Sequence, residues 1–256
     1  MNDSHQHSHI SRILTNPNVL QNPASFFEVY QLPIRKFFMC LCGNAHEADE
    51  QFQEFAVKFL SGAFDSFKPD KGRFRDYLKT ALRNQVKRSY KKGANGAVPM
   101  PEDMDAADPN ALQPIENALR EFDSIEGEQI RQLVDDDMRS DEADGKNQYH
   151  SLLQFAIGYQ RERLHEFAVS GGRTKIPVSA IADFIQERFG ETVTTDTAKQ
   201  RMFRAKVMYA SKMIDEIGVR VTDPSHAAIR DAAHELGLAV YVESELARRE
   251  NKLASK

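Results

Sequence analysis

"KGRFRDYLKTALRNQVKRSYKK", residues 71–92, decides how this chain is read. It holds nine Lys and Arg against one acid, Asp76, in a protein whose formal net charge is −4. At helical spacing Phe74, Leu78, Leu82 and Val86 form one row of residues four apart, and Arg75, Lys79, Arg83 and Lys87 form the row beside it. Such a helix buries the first ridge and presents the second, cationic one to solvent. A charged ridge is often just a solvated helix face, but here almost no carboxylates are interleaved for intrahelical pairing. Cations of one sign repel one another until an anion binds, and nucleic-acid phosphate is the usual partner. Phe74, Tyr77 and Tyr90 add surfaces on which unpaired bases can stack.

The segments before this helix are also helical. Ala48, Phe52, Phe55, Ala56, Phe59 and Leu60 recur in steps of three and four, the pattern of a buried helix face. Phe26, Phe27, Tyr30, Ile34, Phe37 and Phe38 predict an earlier helix, with a bend around Pro33. The turn-like "KPDKG" at 68–72 leads into the basic helix.

After Lys92 the composition changes. "GANGAVPMPEDMDAADPNALQP" is rich in turn-forming residues, and Glu102 to Asp144 contains fifteen acids and three arginines. Short amphipathic helices are predicted at Ile115–Phe122 and Ile130–Met138, and the remainder has too little apolar content to order itself. Helical periodicity resumes at Tyr149 and continues to about Phe167. "VSAIADFIQERFG" then reads as a short helix with Gly190 as its C-cap, and "TVTTDTAKQRMF" opens a longer one on N-capping Thr and Asp residues. Two helices across a tight connection make a helix-turn-helix pattern, whose second member places Thr, Lys, Gln and Arg where base edges are reached.

The fold class that follows is all-α, with two small helical domains joined by an acidic linker. Residues 1–22 form a flexible tail, 23–96 the first domain, 97–148 the linker, 149–222 the helix-turn-helix domain and 223–256 a helical C-terminal extension.

"HEADEQFQEFAVKFLSGAFDSFKPDKGRFRDYLKTALRNQVKRSYKK", residues 46–92, resembles region 2 of the sigma-70 superfamily, in particular the extracytoplasmic-function (ECF) sigma factors. Val178 to Ile217 is similar to region 4, with a longer connection between its two helices than the family usually has. The resemblance implies a sigma factor without catalytic residues, cofactor or metal, and with core RNA polymerase and promoter DNA as partners. An anti-sigma factor is a further candidate partner. Asp49, Glu50, Gln53 and Glu54 would meet polymerase. Lys68, Lys71, Arg73, Phe74, Arg75, Lys79, Arg83, Asn84, Lys87 and Arg88 would meet the minus-ten element. Residues 67–73 would form the loop near a flipped base. Thr195, Thr197, Lys199, Gln200, Arg201 and Arg204 would meet the minus-thirty-five element. The acidic linker would run through polymerase as a nucleic-acid mimic; a plain spacer, or a shield over the basic helix in the free protein, are the alternatives.

Other chemistries find less support. Asp135, Asp136 and Asp137 suggest a nuclease magnesium site, but consecutive carboxylates rarely converge on one ion. Cys40, Cys42 and His46 lack zinc-site spacing, and with Cys40 set among Phe and Leu at least one buried thiol is expected. His5, His7 and His9 alternate along a polar tail. No phosphate-binding loop or nucleophile elbow occurs, no apolar run is long enough to span a membrane, and no secretory signal is visible. A cytoplasmic location is expected. The runner-up function is a DNA-binding regulator that acts without polymerase.

Overall fold

The computed structural model describes residues 23–64, 67, 73–92, 109–162, 176–221 and 224–255. Among these the secondary structure is entirely helical: α1 (Pro23–Leu41), α2 (Ala45–Leu60), α3 (Phe74–Lys92), α4 (Pro109–Ala143), α5 (Tyr149–Glu162), α6 (Val178–Phe189), α7 (Thr195–Gly218), α8 (His226–Glu235) and α9 (Ala239–Ala254).

The first core is built on aromatic residues. From α1, Phe26, Tyr30, Ile34, Phe37 and Phe38 point inward at three- and four-residue steps, and the helix is continuous through buried Pro33. Phe26 stacks on Phe59 of α2, with ring centroids 3.9 Å apart. Leu78, Leu82 and Val86 of α3 close one side as the periodicity predicts. Leu60 departs from the predicted face of α2 and is 61% exposed, as is Val57 at 65%. The start of α2 is fixed by Asn44, whose side chain accepts from the Glu47 amide at 2.9 Å while Glu47 accepts from the Gly43 amide. The buried thiol expected of the Cys40 and Cys42 pair is not found. Cys40 is exposed and Cys42 half-buried, because α1 turns Phe37 and Phe38 inward and ends at Leu41.

The acidic segment differs most from expectation. Instead of two short helices in an irregular linker, Pro109–Ala143 is one helix of 35 residues. Its buried line runs through Ile115, Leu119, Phe122, Glu126, Ile130, Val134 and Met138 at helical spacing. Glu126 interrupts that line as a sequence but not as a helix, because it is buried against Arg75 at 2.9 Å. Ile115, Ala118, Leu119 and Phe122 complete the first core, with Phe122 lying parallel to Tyr30. Ile130, Val134 and Met138 enter a second core, so α4 belongs to both.

That second core also contains Met213, Ile214 and Ile217 of α7, Ile229, Ala232 and Ala233 of α8, and Val242 and Leu246 of α9. The C-terminal extension is thus packed against α4 and α7. A third cluster joins Leu152 of α5, Ile181 and Ile185 of α6, and Ala198, Met202 and Ala205 of α7. Gly190 ends α6 in the left-handed region at φ 70°, and Thr194 caps α7 by accepting from the Thr197 amide at 3.2 Å. No described helix is long and apolar enough to cross a membrane.

Candidate nucleic-acid interface

Most of the cationic row of α3 is not presented to solvent. Leu78 and Leu82 are fully buried beneath it, and Arg75, Lys79 and Arg83 are met by carboxylates from α4 and α8. Arg75 is only 3% exposed. It donates from Nε to Glu126 at 2.9 Å, from Nη2 to Asp123 at 2.6 Å and from Nη1 to Glu235 at 2.7 Å. Lys79 donates to Asp123 at 2.8 Å, and its Nζ lies 3.7 Å from Glu235. Arg83 makes a two-pronged contact with Glu116, both distances 3.1 Å. Arg73 is held by Asp76 at 2.9 Å and by Glu235 at 2.6 Å.

The physical reason is complementarity within the chain. The carboxylates missing from α3 itself are supplied by the acidic helix that follows it. Glu116, Asp123 and Glu126 lie on α4 at steps of seven and three, so they face the same neighbour. Burial works against the charge on Arg75, but Glu126, Asp123 and Glu235 around it outweigh that and hold its guanidinium above the ordinary value. The hydrogen bond to Asp76, assisted by Glu235, does the same for Arg73.

The remaining α3 residues are more open. Asn84 and Arg88 are exposed and Lys87 half-buried. Phe74 packs at the edge of the first core, and Phe67 lies against it and Tyr77 with centroids 5.3 and 5.5 Å away. Lys68, Lys71 and the side chain of Tyr90 lie outside the described residues, as does most of the loop assigned to a flipped base.

On α7 the outward residues are Thr195, Lys199, Gln200, Arg204 and Lys206, and no ion pair engages these cations among the described residues. Thr197 is half-buried, with its hydroxyl 3.0 Å from that of Thr194. Arg201 is turned back into the domain, where it donates to Gln148 at 3.2 Å and to Glu191 at 2.7 Å. Those two bonds tie the connection between α6 and α7 to α5 and remove Arg201 from the free basic face. Phe203 was not singled out from the sequence, since an apolar residue in a helix reads as core. It is 61% exposed between Lys199 and Lys206.

On α2 the four residues assigned to polymerase do not share one state. Asp49 accepts from Arg35 at 2.5 Å and Glu54 from Lys58 at 2.7 Å, both partly screened from solvent. Glu50 lies 3.3 Å from exposed His46, and Gln53 is exposed. Glu50, Gln53, Val57 and Leu60 therefore form one outward stripe, acidic at its start and apolar at its end. Elsewhere, the Asp135–Asp137 run is divided among cations. Asp135 and Asp136 pair with Arg139, and Asp137 pairs with Lys212. No group of three or more metal-ligating side chains gathers among the described residues.

No curated protein and no solved structure matches this chain. Residues 26–95, from the start of α1 to just past α3, match the family model of sigma-70 region 2, and this match supports placing the chain in the sigma-70 superfamily.

Proposed function

We propose that the protein is a sigma factor of the extracytoplasmic-function type, which binds core RNA polymerase and directs promoter recognition and opening. The reading rests above all on the coincidence of the region 2 match with α3, the helix that carries the cations Arg75, Lys79, Arg83, Lys87 and Arg88. Polymerase docks on the outward stripe of α2, where Glu50 and Gln53 give way to exposed Val57 and Leu60. The basic side of α3 grips the minus-ten element, starting from Lys87 and Arg88 at its open end. Helix α7 enters the major groove of the minus-thirty-five element through Lys199, Gln200 and Arg204, residue types that hydrogen-bond base edges and phosphates. The chain works in the cytoplasm and supplies positioning rather than catalysis. An anti-sigma factor is a further partner within this reading.

The test is co-purification with core polymerase followed by reconstituted initiation. The factor should convert core into an enzyme that starts at defined promoters. A chain that never binds core overturns the proposal.

A second reading, a regulator that binds DNA without polymerase, is favoured by one observation: Lys199, Arg204 and Lys206 of α7 are exposed and engage no ion pair among the described residues. Tight, sequence-specific duplex binding by the isolated chain, without any association with core, would establish it instead.

A further inference from the structure

Three cations converge on one carboxylate. Glu235, the last residue of α8, lies 2.6 Å from Arg73 through one oxygen. Its other oxygen lies 2.7 Å from Arg75 and 3.7 Å from Lys79. An anionic group met by one nitrogen from each of two guanidiniums, with an ammonium close by, is an arrangement that suits a backbone phosphate. The four carboxylates around the row are not equivalent. Glu126 is fully buried and Asp123 nearly so, whereas the side chain of Glu235 is 31% exposed. Parting Glu126 from Arg75 would strand the buried Glu126 carboxylate, which has only Arg220 Nε 3.9 Å away, but Glu235 can turn into solvent at little cost.

The seat of Glu235 is also specific. Gly127 of α4 meets the end of α8 so closely that a Cβ there would lie 2.3 Å from the Leu236 carbonyl oxygen. Glycine inside a helix costs stability, so its presence here matches the close approach of the two backbones. That contact sets the last turn of α8, and with it the Glu235 side chain, over the basic row.

We propose that Arg73, Arg75 and Lys79 form a phosphate-binding site that Glu235 fills as an intramolecular competitor. The site rests on the reading of α3 as a DNA-contacting helix and adds its regulation. In the free protein the C-terminal extension holds the site closed. A nucleic-acid phosphate takes the place of the Glu235 carboxylate, while Asp123 and Glu126 stay in position and keep α4 attached. The extension therefore lowers the affinity of the free chain for DNA while leaving the exposed Lys199, Arg204 and Lys206 of α7 open.

The experiment measures binding of a short random-sequence duplex by the full chain over a range of salt concentrations. Glu235→Gln keeps the size of the side chain and removes its charge. It should tighten binding several-fold and steepen the dependence of log K on log salt by about 0.9, the value of one added phosphate contact. Gly127→Ala, which displaces the end of α8 without altering any charge, should act in the same direction. Adding Lys79→Glu to Glu235→Gln should cancel the gain. Unchanged affinity and slope in both single variants would overturn the competitor role. The underlying reading fails separately: if Lys87→Glu with Arg88→Glu leaves affinity and slope as in the parent, α3 does not touch DNA at all.

Discussion

Arg75 and Glu126 form an ion pair between side chains that are 4% and 1% exposed, with Nε and Oε2 2.9 Å apart. The pair joins α3 of the region 2 segment to the middle of α4, where the first core gives way to the second. Glu126 Oε1 has no hydrogen-bond partner, and it faces Arg220 Nε, also without one, at 3.9 Å. Two arginines from distant parts of the chain thus meet at one buried carboxylate.

Glu126→Gln should accordingly destabilise the protein by about 1.5–3 kcal/mol, the worth of hydrogen bonds to a charged group, because Asp123 and Glu235 still pair with Arg75. Glu116→Gln, which breaks the half-exposed pair with Arg83, should cost no more than about 1 kcal/mol. Urea denaturation of the two variants checks the contrast. Similar losses in both would mean that burial does not set the strength of these pairs.

Stability should fall in acid. Burial tends to raise the Asp141 carboxyl, but hydrogen bonds from Lys146 and Lys212 outweigh it and hold it below its ordinary value. Arg248, with help from Arg249, does the same for Glu245 against the effect of burial. A carboxyl depressed in the folded state contributes stability above its unfolded value, about 3.9 for Asp and 4.3 for Glu, and loses it as pH falls through the folded one. The melting temperature should therefore drop as pH is lowered below about 5. Glu245→Gln should be less stable at neutral pH and show a flatter decline, a comparison that calorimetry makes directly.

The helix-turn-helix connection offers a local test. Gly190→Ala forces a side chain into the left-handed region and should cost about 1–2 kcal/mol. Thr194→Ala removes the cap of α7 and should cost about 1 kcal/mol. Both are measurable as losses of amide protection in α6 and α7. Equal loss in α1 would show that the two halves unfold as one.

Lys87 and Arg88 are better probes of promoter contact than Arg83, because reversing Arg83 would also repel Glu116 and loosen α4. Lys87→Glu with Arg88→Glu should abolish promoter opening by the reconstituted enzyme and leave core binding largely intact. Loss of core binding in this variant would show that α2 and α3 do not divide the work. On α7, neutralising Lys199 and Arg204 should each reduce the salt dependence of duplex binding by about 0.9.

The aromatic helices, the basic helix, the Gly190 cap and the Thr194 N-cap were all legible in the sequence, because each depends on spacing or backbone preference within a few residues. The continuous α4 was not. Glu126 and Gly127 sit where an apolar residue would have extended the pattern, and each is explained by a distant contact, with Arg75 and with the Leu236 backbone. The cationic row is legible as a row, but its exposure is not, for the same reason. Its counter-charges lie on α4, and one lies some 160 residues later, on α8. Arg201 shows the same limit on a smaller scale, since only the fold brings Gln148 and Glu191 to it.

A linker that is one helix has an angular phase as well as a length. At 1.5 Å per residue the 35 residues of α4 span about 50 Å, and each residue added turns everything beyond it by about 100°. The direction in which α7 faces, relative to α3, is therefore written into the residue count between Phe122 and Ile130. One inserted residue there would misalign the two, whereas seven, close to two full turns, would nearly restore their orientation while moving them apart.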